Sequence, residues 1–222
     1  MDKTGFAPKF RLMATYKNQF NLKELTYNSI HGVVRFRRFQ LGIKLNEFGP
    51  EGLYKERVAE TGLLYILRNR FSIGLGLSQY QLAVRGLPRS NIAGINLGCV
   101  AELEYGLIWS VYLHNIILSS SQIAVTDLPK IINSTFRIIP TAKLQAIIQW
   151  EQDLLYPGRL GFGVAFQIVK WLSFSVGYNG NPGQLVGGLQ INKLKVKIEY
   201  LVSFHQELGI SQVLGIGYHI NR

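Results

Sequence analysis

The chain has 222 residues and a net charge of +11, but only 17% of its residues are charged and 47% are apolar. Soluble domains usually carry about a quarter charged residues. No run of about 18 or more apolar residues is present, which excludes a transmembrane helix, and the single Cys99 excludes a disulfide framework. The first residues, MDKTGFAPKF, lack the apolar core of a signal peptide. We therefore expect either that the chain is not exported or that a leader is missing.

Apolar residues alternate with small or polar ones along the whole chain, which is the pattern of β-strands. We predict strands at approximately 8–17, 31–37, 39–46, 55–67, 70–84, 91–103, 106–117, 132–139, 143–151, 158–168, 171–180, 184–192, 194–203 and 208–220. Successive side chains of a strand point to opposite faces. Each predicted strand therefore has one apolar face and one small or polar face, and the series predicts a single domain over 1–222.

The connections between these strands alternate between long and short. This alternation is typical of an outer-membrane barrel, which has short periplasmic turns and longer outer loops. We therefore predict an all-β fold, an up-and-down antiparallel transmembrane β-barrel of about 14 strands in the bacterial outer membrane. An even number of strands would place both ends of the chain on the periplasmic side.

A soluble β-sandwich or barrel is the alternative, because it also alternates apolar and polar residues. Here, however, the apolar faces carry large residues, and the opposite faces are rich in Gly, Ser, Ala and Asn with few charges. Several predicted strands, such as 91–103, exceed the five or six residues that are common in soluble sheets. They match the roughly 9–11 residues needed to cross a bilayer, so both features favour the membrane barrel.

The two ends of the chain are basic and its middle is neutral. Residues 1–70 hold 13 Lys and Arg against 6 Asp and Glu, residues 71–157 hold 5 against 5, and residues 158–222 hold 6 against 2. A barrel pairs its first strand with its last, since an open edge in lipid would leave backbone groups unpaired. Strand parity then predicts a lumen-facing basic patch of Arg11, Lys17, Arg35, Lys44, Lys195 and Lys197. The patch is either an ordinary polar lumen with counter-ions or a site for an anionic ligand, a lipid headgroup or an acidic partner.

Three Gly-x-Gly pairs, at 74–76, 161–163 and 215–217, raise the possibility of a nucleotide site. A dinucleotide site needs a helix directly after the glycines, because the helix N-terminus holds the pyrophosphate. None of the three pairs precedes a predicted helix. We expect them to relieve crowding on the inner side of the wall instead.

The chemistry of an enzyme is missing from the sequence. The four histidines, His31, His114, His205 and His219, show no metal-ligand spacing, and no cysteine or carboxylate cluster accompanies them. No nucleophile-elbow sequence is present, and the basic residues match no nucleic-acid-binding motif. Cys99 alternates in phase with apolar neighbours, so we expect it to face lipid. We therefore predict no catalytic residue, no cofactor and no nucleic-acid partner.

Four stretches resemble a known family. They are LYKERVAETGLLYILRNRFSIGLGL (53–77), INLGCVAELEYGLIWSVYLHNI (95–116), LPKIINSTFRIIP (128–140) and the C-terminal hairpins over 171–220. The chain resembles the PorV/PorQ-type outer-membrane proteins of type IX secretion, which are relatives of the FadL-type fatty-acid channels. The resemblance implies a fourteen-stranded barrel without catalytic residues. Two departures are the missing N-terminal plug segment and a final strand that ends in YHINR rather than in an aromatic residue.

Three functions follow as hypotheses. The first is a non-enzymatic accessory or docking component of protein export, with a lumen blocked by loops and partner contacts through outer loops such as 118–131. The second is a FadL-like channel for hydrophobic or amphipathic small molecules, with a continuous apolar pocket or a side opening, for instance at a kink near Gly187 and Gly188. The third is a soluble barrel that binds a small apolar ligand. For a membrane barrel, outer-membrane lipid or lipopolysaccharide is an expected partner.

Overall fold

The computed structural model describes residues 9–68, 70–120, 129–154 and 156–220. In chain order the strands are β1 (Phe10–Asn18), β2 (Thr26–Phe36), β3 (Phe39–Phe48), β4 (Tyr54–Arg68), β5 (Phe71–Val84), β6 (Ser90–Glu102), β7 (Leu107–Ser120), β8 (Ile131–Thr141), β9 (Leu144–Asp153), β10 (Arg159–Val169), β11 (Leu172–Asn179), β12 (Gln184–Lys193), β13 (Val196–His205) and β14 (Gly209–Ile220). Single 3-10 turns lie at Lys23–Leu25 and Glu104–Gly106. No helix in the described part of the chain is long and apolar enough to cross a membrane.

The fourteen strands form one closed barrel in which each strand is antiparallel to both of its neighbours. β1 pairs with β14 from Phe10 opposite Ile220 to Asn18 opposite Gln212, so the seam is complete. The predicted all-β, up-and-down antiparallel barrel is confirmed. Closure leaves no strand edge open, which is the requirement for a β-structure in lipid.

The two faces of the wall differ as the alternation predicts. On β5, the side chains of Phe71, Ile73, Leu75 and Leu77 are exposed on the outer face, whereas Ser72 and Ser78 are buried on the inner face. The largest fully buried side chains are polar, namely Asn96 and Ser72. A soluble domain would bury its large apolar residues. This barrel exposes them around its outer circumference, which argues against the soluble alternative.

The observed strands differ from the predicted ones most clearly at β2, which begins at Thr26 rather than near 31. Asn28 interrupts the apolar alternation because it faces outward, opposite Tyr16 of β1. The first outer connection is therefore reduced to 19–25. In the connection predicted as an outer loop at 118–131, residues 121–128 lie outside the described part of the chain, and β7 extends to Ser120.

No register shift lies near Gly187 and Gly188, where a kink was considered, because both glycines pair in regular register with β11 and β13. Among the described strands, three register shifts lie next to short turns, where β4 pairs with β5, β8 with β9 and β10 with β11. The fourth lies within the wall, between Ile95 and Leu97 of β6 where it pairs with β7, at a position that the glycine pattern did not indicate.

Candidate functional site

The inner face of the barrel carries a row of ionisable side chains. Direct cross-strand partners follow one another from β13 through β14, β1, β2 and β3 to β4, and the row runs Lys197, Gly217, Met13, His31, Lys44, Glu60. We call these residues, together with Arg11 and Glu199 on either side of them, the charged row. The row exists because barrel closure brings β13 and β14 next to β1, so residues that are far apart in sequence lie side by side.

Two ion pairs organise the charged row. The Nζ of Lys44 lies 3.3 Å from Oε2 of Glu60, and the Nζ of Lys197 lies 2.6 Å from Oε2 of Glu199. Glu60 and Glu199 are the more buried partners, with 17% of each side chain exposed. The carboxylates therefore lie closer to the barrel wall, and the lysine side chains are the members of each pair that are more exposed in the lumen.

Arg11 adds a cation to this row. It stands opposite His219 of β14 and Val33 of β2. Its Nε is buried, and no hydrogen bond within the described residues satisfies it. A buried donor without a partner is costly, so this group is suited to an anionic or carbonyl oxygen brought by a solute.

Five of the six predicted patch residues lie on the inner face, and one does not. Arg11, Lys17, Arg35, Lys44 and Lys197 alternate with outward residues on their strands. Lys195 is a correction: it is exposed in the turn that joins β12 to β13, because β13 begins only at Val196. The structure brings Arg11, Lys44 and Lys197 together in the charged row. Lys17 and Arg35 lie on strands of the same side, away from the row.

The counter-ions were missed by the sequence analysis. Glu60 and Glu199 occupy inward positions of predicted strands, yet strand parity alone gives no information on which residue stands opposite. Arg137 of β8 also faces inward, in the part of the barrel predicted to be neutral, and Arg159 of β10 faces inward in the basic C-terminal part. Arg159 pairs with Glu151, with 3.4 Å between Nε and Oε1. The lumen is therefore mixed in charge rather than uniformly basic.

The inner wall over β10, β11 and β12, which follows β13 of the charged row around the barrel, carries very small side chains. Facing one another across β10, β11 and β12 are Gly161, Gly163, Ala165, Ser173, Ser175, Gly177 and Gly188. We call these residues the small-residue arc. A cavity of about 210 Å³ lies against it, and Gln145 and Ile147 of β9 line its far side. All three Gly-x-Gly pairs point inward, as predicted: 161–163 lies in this arc, 74–76 lies in β5, and 215–217 lies in β14, where Gly217 belongs to the charged row.

A buried polar cluster lies at the register shift between β6 and β7. Asn96 stands opposite the extra residues 114–116 of β7, and its Oδ1 accepts a hydrogen bond of 2.8 Å from the backbone N–H of Asn115. The hydroxyl of Ser78 donates to Oδ1 of Asn115 at 3.2 Å, and Nδ2 of Asn115 donates to the carbonyl of Pro129 at 3.0 Å. Asn115 has a left-handed backbone with φ of 56°. The cluster ties β5, β6, β7 and the start of β8 together.

Cys99 and His205 take ordinary structural positions. Cys99 pairs with Ile73 and Val111 on the outer face. His205 accepts hydrogen bonds from the N–H groups of Glu207 and Leu208 and so caps a tight turn. Within the described ranges, no group of three or more His, Cys, Asp or Glu side chains is placed to hold a metal ion.

No protein-family model matches the chain. No curated protein matches it in sequence. Solved structures match its fold. Similarity to the CymD monoaromatic hydrocarbon channel has a TM-score of 0.68 at 10% identity and covers 99% of this chain and 90% of that chain. A Pseudomonas aeruginosa FadL homologue matches with a TM-score of 0.63 at 9% identity over 96% and 88% of the two chains. The KdgM porin in complex with disordered oligogalacturonate matches with a TM-score of 0.53 at 10% identity over 95% and 99%.

These structures are outer-membrane β-barrels, and the match places this chain in the same fold class. The similarity is general to barrels, with nothing specific to the PorV type. The charged row and the small-residue arc are observed in this chain itself and are not inferred from the matched structures.

Proposed function

We propose that the protein is a non-enzymatic channel of the bacterial outer membrane for small amphipathic solutes that carry an anionic group. The single observation that carries this proposal is the division of the inner wall into a charged row and a small-residue arc. A barrel of eight strands can fill its interior with side chains, and wider barrels leave space. Fourteen strands with an arc of glycine, alanine and serine favour an interior that is only partly filled.

The membrane location is supported by the outer face. Large apolar side chains such as Leu75, Phe162 and Ile216 are half-exposed around the wall. Transfer of such groups from water to lipid is favourable in proportion to their area. The barrel is also closed at the seam, so no backbone edge needs water. Soluble ligand-binding barrels are closed too, so the exposed apolar outer face is the feature that favours the membrane.

The two parts of the inner wall suggest how a solute would pass. The anionic end of an amphipathic molecule would be attracted to Arg11, Lys44 and Lys197, because fixed charges in a narrow, low-dielectric channel raise the local concentration of the opposite charge. Its apolar part would slide along the small-residue arc, where Gly163, Ala165 and Gly177 leave the wall low. Ion pairing of Lys44 and Lys197 keeps binding weak enough for release.

Two of the matched structures are named with ligands of different chemistry, which can be compared with the lumen of this chain. CymD is named for monoaromatic hydrocarbons, and KdgM was solved with an oligogalacturonate, which is a polyanion. The lumen of this chain combines a charged side with a smooth small-residue side. An amphipathic anion matches both sides, whereas a pure hydrocarbon would leave the charged row without a role.

The export-accessory hypothesis rests on the PorV/PorQ resemblance alone. It requires partner contacts through outer loops such as 118–131. The outer-membrane barrel fold is common to that hypothesis and to the channel, and the matched channels fit the FadL-like hypothesis at least as well. We therefore give the channel as the proposed function.

A tryptophan placed in the small-residue arc tests the proposal. The purified barrel is reconstituted in lipid vesicles, and efflux of a small amphipathic carboxylate is measured. Ala165 faces inward beside Ser175, so Ala165→Trp should reduce the flux several-fold. Val164→Trp is the matched control, because Val164 is the neighbouring residue and faces outward. Vesicles with the unsubstituted barrel that show no flux above empty vesicles would contradict the channel, as would equal flux through both variants.

A further inference from the structure

We propose that the outer wall at the long-loop end of β4, β5 and β6 binds a phosphorylated, acylated glycolipid of the lipopolysaccharide type. The site, here called the outer-wall groove, has a cationic head formed by Lys55, Arg57 and Arg89 and a floor formed by Ala59 and Ala93. It goes beyond channel activity, since it lies on the opposite face of the wall from the lumen. It depends on the proposed outer-membrane location.

The outer wall has a depression where its side chains become small. Over most of the barrel the outward positions carry Leu, Ile, Phe or Val. Across β4, β5 and β6 the outward row instead reads Ala59, Gln79, Ala93. Two concavities of about 920 Å³ each lie on the two sides of Ala59 and share Leu45. Apolar clefts of this size are typical of binding sites for small organic ligands.

The walls of the depression are aliphatic. Ile43 and Leu45 of β3 border it on one side, and Leu77 and Ile95 continue it towards the short-turn end of the barrel. Ile43, Leu45 and Leu77 are exposed on the outer face, and Ile95 is partly exposed there. A shape with an apolar floor and aliphatic sides, open towards lipid, fits acyl chains that lie along the strands.

A polar pocket stands directly above this floor. Outward residues of β4 follow the order Lys55, Arg57, Ala59, so the cations lie one and two steps nearer to the outer loops than the apolar floor. Lys55, Arg57 and Arg89 line a cavity of about 260 Å³ together with Glu51, Gly52 and Gln81. Three cations from two different outer-end segments therefore converge on one pocket.

Carboxylates orient these cations without neutralising them. Glu47 contacts Lys55 with 2.7 Å between Nζ and Oε1, and it contacts Arg57 with 3.0 Å between Nε and Oε2. Glu51 lies 3.8 Å from Nη2 of Arg57. With Arg89 in the next outer turn, the group has three cations against two carboxylates. Guanidinium groups match phosphate oxygens in geometry and charge, so a phosphate is the fitting occupant.

Outward polar side chains mark this level as the headgroup region. Gln81 of β5 and Asn91 of β6 stand opposite each other on the outer face, and Nε2 of Gln81 donates to Oδ1 of Asn91 at 3.4 Å. Polar side chains on the outer face are expected at the level of the lipid headgroups rather than at the level of the acyl tails. The longer loops lie at this end, which is the outer side of barrels of this kind, so the lipid is the glycolipid of the outer leaflet.

Lipid binding to the purified full-length barrel tests the proposal. The barrel is prepared in detergent, and the fraction of protein that retains one lipid is measured by native mass spectrometry. Three probes are compared: bis-phosphorylated lipid A, lipid A without its phosphates, and phosphatidylglycerol. We expect the bis-phosphorylated lipid A to bind at least ten-fold more tightly than either of the others. Equal binding of dephosphorylated lipid A, or tighter binding of phosphatidylglycerol, would overturn the proposal.

Two pairs of variants localise the binding. Arg57→Gln with Arg89→Gln should weaken lipid A binding by about ten-fold or more, since hydrogen bonds between charged groups are the strong ones. The matched control, Lys23→Gln with Lys130→Gln, removes the same charge from other exposed positions at the outer end of the barrel and should change binding less than two-fold. An equal loss in both would mean that net charge alone is responsible, and the site would be wrong.

The floor is tested by Ala59→Phe, which fills the depression and should weaken binding several-fold. Its control, Leu160→Phe, places the same ring on the outer face of β10. Heat-dependent gel mobility verifies that each variant forms the barrel. A change of oligomeric state in Ala59→Phe would instead identify the groove as a contact between copies of the chain. Failure of lipid binding with normal vesicle flux would leave the channel proposal standing.

Discussion

Lys44 and Glu60 stand directly opposite each other on β3 and β4, and with 3.3 Å between Nζ and Oε2 they form the ion pair at the β4 end of the charged row. Strand parity alone identified the lysine as a lumen cation. The barrel register shows that the cation comes with its own counter-ion. The balance of fixed charge in the lumen is therefore set by a small number of pairs that can be altered one residue at a time.

The charge of this pair should control ion selectivity. Glu60→Gln leaves Lys44 without its carboxylate, so we expect the ratio of anion to cation permeability to rise. Lys44→Gln should lower it. The change should be about five-fold at most in each direction, because a unit charge at about 4 Å in water is worth about 1 kcal/mol. Reversal potentials of single channels in a salt gradient measure it.

Lys55→Gln is the control for this experiment, since Lys55 lies on the outer face and should leave the reversal potential almost unchanged. Equal shifts in Lys44→Gln and Lys55→Gln would show that the charged row does not line the ion path.

The seam between β1 and β14 should accept a disulfide. Ala14 stands directly opposite Ile216, and directly opposite residues of antiparallel strands have Cα separations of about 4.5–5.5 Å, within disulfide range. In a Cys99→Ser background, Ala14→Cys with Ile216→Cys should oxidise readily and retain barrel mobility on unboiled gels. Moving the second cysteine two residues along, with Gly217 between, gives Ala14→Cys with Tyr218→Cys, which should cross-link much more slowly. Equal cross-linking of both pairs would contradict the register.

Two glycines on neighbouring strands should differ in their tolerance of a methyl group. A Cβ on Gly177 would lie 2.8 Å from the backbone carbonyl oxygen of Phe162, whereas a Cβ on Gly187 would meet nothing within 4 Å. We expect Gly177→Ala to lower the free energy of unfolding by about 1–3 kcal/mol, as overpacking does. Gly187→Ala should be neutral or slightly stabilising, because it restricts the unfolded chain. Urea unfolding in lipid vesicles, followed by tryptophan fluorescence, compares them, and equal effects would refute the close approach.

Asn115 should be needed both for its backbone conformation and for its side chain. Asn115→Gly keeps the left-handed conformation but removes the hydrogen bonds with Ser78 and Pro129, which should cost about 1–2 kcal/mol. Asn115→Ala should cost about 1 kcal/mol more, since a left-handed backbone is unfavourable for alanine. The same urea titration separates the two contributions. An alanine variant as stable as the glycine variant would show that the register shift does not need the left-handed residue.

The strands of the barrel and their inner and outer faces could be predicted from sequence, because the alternation of apolar and polar residues is a local pattern. In 71–78 the type of each residue indicates the face on which it lies, and the structure places Leu75 outside and Ser72 inside as the alternation predicts. The start of β2 was missed because Asn28 is polar and yet faces outward near the end of the barrel, where the alternation no longer separates lipid from lumen.

The charged row was harder to predict, because it depends on the register in which neighbouring strands pair. Arg11, Lys44 and Lys197 could each be assigned to the inner face from their own strands. The pairing of Lys44 with Glu60 requires knowledge of which residue stands opposite, which a single strand does not contain. Lys195 was misplaced because a shift of one or two residues at a strand end moves a side chain from the wall into a turn.

The complete seam has a consequence for how the protein is made. β1 is synthesised first and its partner β14 last, so two hydrogen-bonding edges stay open until nearly the whole chain exists. Open edges recruit other strands and promote aggregation. A chain truncated before Gly209 would keep both edges open permanently. Insertion should therefore behave as an all-or-none event in which the joining of the first and last strands is the step that protects the product.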